Sequence, residues 1–139
     1  MATETSQRQQ TTTPSVPIRA GVAIVLSVLV NAILVVTAGT LGVAPGFQPL
    51  SVPPVVFLSA VGAVGAVVVY ALLQRYVDRA DHYFVRVAAV VLVLSFLPDV
   101  GLLFGDPAAT VPGVVILMVL HVVVAAASVG ALVYWRRPA

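Results

Sequence analysis

Four long apolar runs constrain this chain more than any other feature. They extend from Gly21 to Leu41, Val55 to Leu73, Val85 to Phe104 and Val114 to Tyr134. Each is long enough to cross a hydrocarbon core of roughly 30 Å at about 1.5 Å per residue. The runs are continuous rather than alternating, so they predict helices and not barrel strands. Valine is a poor helix former in water. In lipid, however, every backbone group must bond within its own segment, and that requirement overrides propensity. The chain is 60% hydrophobic and 9% charged, whereas a soluble domain is about half apolar and a quarter charged. A fold of 139 residues could not bury so much Val, Leu and Ala away from water. The expected fold is an all-α integral membrane bundle of four transmembrane helices, one domain over residues 18–137, with the lipid bilayer as its first partner.

Residues 1–17 are polar, rich in Thr, Gln and Ser, and end in proline. Nothing there can bury an apolar face, which predicts a disordered cytoplasmic tail. Val36-Thr37-Ala38 resembles a small-residue cleavage site, but the first apolar run is too long and its polar lead-in too extended for a signal peptide.

The seven basic residues are all arginine, and their placement predicts orientation. Arg8 and Arg19 precede the first span, Arg75, Arg79 and Arg86 lie between the second and third, and Arg136 and Arg137 follow the fourth. The other two connections carry no Arg or Lys. The positive-inside rule then puts both termini in the cytoplasm of a multi-pass cell-membrane protein. Tyr70, Tyr76, Tyr83, Tyr134 and Trp135 are expected at the same boundary, as interfacial anchors. A formal charge of +2, spread over helix ends rather than gathered in a patch, gives no sign of nucleic-acid binding. The absence of cysteine excludes disulfides, thiolate metal sites and cysteine nucleophiles.

Asp99 is the residue that most needs a reason. An acid inside a span costs a few kcal/mol by insertion scales, so it should face the bundle and have a partner. His121 is the candidate. Counting from the short turn at 105–113, Asp99 and His121 lie at about the same depth, roughly 10–12 Å from the boundary at about 1.5 Å per residue. Two spans joined by so short a turn should be antiparallel neighbours. The functional reading is a proton-titrating pair or part of a polar cavity. The plainer reading is an interhelical fastener that fixes register. Two ligands are too few for a metal.

Pro98 removes a backbone donor and should kink the third span, with Ser95 placed to satisfy the freed carbonyl of Leu94. Asn31, with Ser27 one turn away, is expected to hold helices together. Ser59, Gly62 and Ala66 in the second span, and His121, Ala125 and Ser128 in the fourth, form stripes suited to close packing. In the connection between the second and third spans, Asp78, Asp81 and His82 read as a solvated linker salt-bridged to Arg75 and Arg79. No phosphate loop, nucleophile elbow or zinc-protease motif is present. No catalytic residue, cofactor or metal is therefore expected.

The chain resembles a family of small four-span membrane proteins known only as a domain of unknown function. The resemblance rests on the span layout and three local features. These are Leu41-Gly42-Val43-Ala44 followed by Gly46-Phe47-Gln48-Pro49-Leu50, the Leu97-Pro98-Asp99 tripeptide, and His121 followed by small residues. It covers roughly residues 18–135 and implies the four-helix fold, but no activity. Two functions stay open. One is an accessory or interaction protein, with a homo-oligomer or another membrane protein as partner. The alternative is a small oligomeric or proton-coupled transporter that uses Asp99, His121 and Asn31.

Overall fold

The computed structural model describes residues 13–135. Four helices account for nearly all of them: α1 (Val16–Thr40), α2 (Val52–Tyr76), α3 (Ala80–Gly105) and α4 (Val111–Val129). The last continues as a π-helical turn, Gly130–Tyr134. A short 3-10 turn, Gln48–Leu50, interrupts the connection from α1 to α2. No strand occurs among the described residues. Each helix is long and apolar enough to cross a membrane.

The helices, with the π-turn counted as part of the fourth, are longer than the apolar runs. Hydropathy marks the stretch suited to hydrocarbon, but a helix continues into polar sequence while its backbone bonds close. Val16 and Pro17, expected in the tail, already belong to α1. Proline occupies an opening position of α1, α2 and α4, where its missing N–H costs nothing and its fixed φ suits the first turn. α3 begins five residues before Val85, with Asp81 in its first turn, on the favourable side of the helix dipole. Residues 1–12 of the expected tail, with Arg8, lie outside the described residues, as do Arg136 and Arg137.

α1 buries a stripe at steps of four: Arg19, Ala23, Ser27, Asn31 and Val35, then Ala38. Ala23, Ser27 and Ala63 of α2 are wholly inaccessible, and such small residues let helices approach closely. α2 buries Val55, Ser59, Ala63 and Tyr70. The expected stripe Ser59-Gly62-Ala66 is therefore rotated. Ser59 is central, but Gly62 is exposed and lies on the flank towards Val124, while Ala66 is only half-buried. In α4, Ser128 is buried and Ala125 half-buried.

α1 packs against α2 and α4; α3 packs against α4 and, less closely, α2. The exposure of α3 sets it apart. Only Phe84 and Asp99 of its residues are buried. Helix α3 runs unbroken through Pro98.

Antiparallel connection brings the α1–α2 and α3–α4 links to one end of the bundle, here called the loop end. The α1–α2 link folds back onto the start of α4: Ala44, Phe47 and Leu50 share a core with Val35, Ala38, Val55, Val114 and Leu117. Gly42 and Gly46 take positive φ there (69° and 76°), and so does Ala44 (48°). Gly113 is required by this contact, because a Cβ on it would stand 2.7 Å from the Cβ of Ala44.

Candidate functional site

The loop-end half of the bundle contains a polar junction drawn from all four helices. Its centre is Asn31, 1% exposed. Its Nδ2 donates to Ser59 Oγ of α2 at 2.8 Å and to the Leu120 carbonyl of α4 at 3.1 Å. Both amide hydrogens are thus spent on neighbouring helices. Oδ1 is buried and has no hydrogen-bond partner.

His121 follows Leu120 and faces α3. Its Nδ1 lies 3.0 Å from Asp99 Oδ2 and 2.9 Å from the carbonyl of Leu117, one turn back on its own helix. A carbonyl only accepts, so the second contact is a bond when Nδ1 carries hydrogen. Asp99 Oδ2 meets no other hydrogen-bond partner, and its contact with His121 is an ion pair only if the imidazole carries a second proton. Asp99 is buried, whereas the side chain of His121 is 40% exposed. The depth match expected from sequence is what the structure contains.

The other expected members of the site fall elsewhere. Ser95 does not cap the carbonyl of Leu94; its hydroxyl donates to Leu92 O at 2.6 Å. A serine reaches back along its own helix to a carbonyl three or four residues before it, and Leu94 is too near in sequence for that. Ser27 bonds within α1, to Ala23 O at 2.7 Å. Asn31, Ser59 and His121 line one cavity of about 70 Å³, which Pro49 borders at the loop end.

A second polar cluster, at the opposite end, was not foreseen. Arg19, expected as a flanking charge, is 7% exposed. Its guanidinium sits 5.9 Å from the centre of the Tyr70 ring, and Nη1 donates to the carbonyl of Leu132. Leu132 belongs to the π-turn that ends α4, where terminal carbonyls lack intrahelical donors, and a cation suits that end of the dipole. Nε of Arg19 is buried and without a partner. Tyr70, expected as an interfacial anchor, is instead 1% exposed. Its hydroxyl donates to Asp81 Oδ1 at 2.8 Å, and its ring meets Phe84 edge-on at 5.2 Å and 72°. Asp81 thus turns inward and is not a purely solvated loop acid. Tyr76, Tyr83 and Tyr134 are exposed, as anchors would be. The signal for Arg19 was present in its four-residue spacing to Ala23, Ser27 and Asn31.

α3 is therefore buried at two points: Phe84 beside Tyr70, and Asp99 beside His121. No group of three or more His, Asp or Glu side chains that could hold a metal occurs among the described residues.

The chain belongs to a family of unknown function (DUF6069), whose model matches residues 11–137. Comparison with curated proteins and with solved structures yields no match.

Proposed function

We propose that this member of the family is a non-enzymatic accessory protein of the cell membrane, and that its α3 helix is the element presented to a partner. The observation that carries this reading is the thin attachment of α3. Its most apolar stretch is 6% buried within the chain, against 22–28% for the other three helices. Val90, Val91, Val93, Leu94 and Leu97 are all exposed. The Asp99–His121 contact acts as a fastener that holds α3 in register while the middle of the helix stays open to a second copy or another membrane helix. Both termini lie on the cytoplasmic side in this reading. Its support is that Arg19, Arg75, Arg79 and Arg86 sit at or near the end opposite the loop end, whose two connections contain no basic residue.

The chain has no cysteine, so a single introduced cysteine is its one crosslinking site in native membranes. Cysteines at Val90, Leu94 and Leu97 should give discrete crosslinked species, and cysteines on the exposed face of α1, such as Ile33, should not. No crosslinks from α3, together with a monomer in mild detergent, would contradict the proposal.

A second reading is a small oligomeric or proton-coupled carrier. The cavity that brings Asn31 and His121 together favours it. Reconstituted flux that falls on Asp99→Asn or His121→Ala would support that reading. Unchanged flux would remove both residues from a transport mechanism.

A further inference from the structure

We infer that the cavity between α1, α2 and α4 is a water-binding site, and that its water joins Asn31 to His121 and opens the Asp99–His121 pair to the loop end alone. This inference rests on the proposed membrane placement but not on whether α3 meets a partner.

Room is the first argument. A polar cavity needs roughly 10–15 Å³ to hold one water, and this one offers about 70 Å³, enough for a small cluster.

Chemistry is the second. Asn31 Oδ1 is an acceptor, buried and without a partner, in a residue that is 1% exposed. Leaving such a group unmatched forfeits a hydrogen bond that water would have supplied. The apolar lining of Val55, Leu58 and Leu117 offers it nothing from a side chain. It requires a donor. Ser59 Oγ accepts from Asn31 and has its own hydrogen to give, so an occupant that also accepts suits the site. The imidazole of His121 lines the same space. Water both donates and accepts and meets all three groups. A monovalent cation would serve the oxygens but would sit against the imidazole, which repels it when protonated.

The direction of access is the third. Pro49, in the 3-10 turn of the α1–α2 link, borders the cavity. Towards the other end, Tyr70, Phe84, Leu132 and Val133 form a buried cluster that closes the bundle. The charged group facing His121 is Asp99 of α3; α1 and α2 bring the neutral Asn31 and Ser59, and α4 its own Leu117 carbonyl. With the flank of the bundle, where His121 is 40% exposed and Leu58 is exposed, lying in hydrocarbon as in the proposed membrane placement, the proton of the imidazole exchanges by way of the cavity, with the aqueous phase on the loop side.

Thiol labelling tests this, because charged methanethiosulfonates react with thiolates only where water reaches them. Leu117→Cys and Val124→Cys place thiols on the wall without removing any of the hydrogen-bonding side chains; Ala63→Cys, fully buried and outside the lining, is the control. In sealed vesicles of defined orientation, the wall thiols should react at least ten-fold faster than Ala63→Cys from the loop side, and no faster than it from the other side. Wall thiols no faster than the control, or equally reactive from both sides, would overturn the inference. A measurement on the unaltered protein guards against misfolded variants. Water-edited solid-state NMR should show rapid transfer from water to the Asn31 side-chain amide, and transfer as slow as for Ala23 would equally overturn it.

Discussion

The carboxylate of Asp99 on α3 lies 3.0 Å from Nδ1 of His121 on α4, and Asp99 is the one buried residue in the loop-end half of α3. Phe84 is the other buried residue of that helix. Coupling between Asp99 and His121 should be measurable. A double-mutant cycle with Asp99→Asn and His121→Ala, followed by reversible unfolding in mixed micelles, should give about 1 kcal/mol or more of interaction energy, within the range known for polar contacts between membrane helices. His121→Ala should cost more than Asp99→Asn, because it leaves the carboxylate buried without its partner.

Asn31 ties α1 to two helices at once, and its substitutions should be graded. Asn31→Leu removes both bonds and should lower stability by about 1–2 kcal/mol. Ser59→Ala removes one acceptor while the bond to Leu120 O remains, so it should cost about half as much. Equal losses from the two variants would show that the bond to Leu120 contributes nothing.

Gly113 meets Ala44 in a contact that only a missing Cβ allows. Gly113→Ala should destabilise by about 1–3 kcal/mol through overpacking. Adding Ala44→Gly removes the opposing methyl and also suits the positive φ of that position. The double variant should therefore recover much of the loss, read as a rise in Tm over Gly113→Ala alone.

At the other end, Tyr70→Phe keeps the ring contact with Phe84 and deletes only the hydroxyl given to Asp81. A loss of about 1 kcal/mol is expected. Arg19→Met should cost more, since it leaves the Leu132 carbonyl without its donor. Arg19→Lys should fall between the two if charge at the end of α4 matters more than the guanidinium fork.

What the sequence reveals of this molecule follows a physical pattern. The four helices were legible because apolar length alone demands them. The Asp99–His121 contact was legible because a short turn fixes the depth of both residues. The inward turn of Arg19 and Tyr70 was not legible: an arginine and a tyrosine near a span end ordinarily reach for the interface, and here the Leu132 carbonyl draws in the one and Asp81 and Phe84 of α3 the other. Gly113 was invisible, since its need for a bare Cα comes from a residue 69 positions away. The exposure of α3 was equally hidden. All four helices have nearly the same hydropathy, and hydropathy does not distinguish a side chain that meets lipid from one that meets another helix.

The central claim is that α3 is held near its two ends, with Asp99–His121 as one of the fasteners. Paired spin labels test it most directly, on a background without native cysteine. One pair, at Leu97 and Val119, reports the fastened loop end; a second, at Tyr83 and Tyr134, reports the opposite end. In lipid nanodiscs both distance distributions should be narrow in the otherwise unaltered protein. With Asp99→Ala the first should broaden or lengthen while the second stays unchanged. A first distribution that keeps its width and centre after Asp99→Ala would contradict the account.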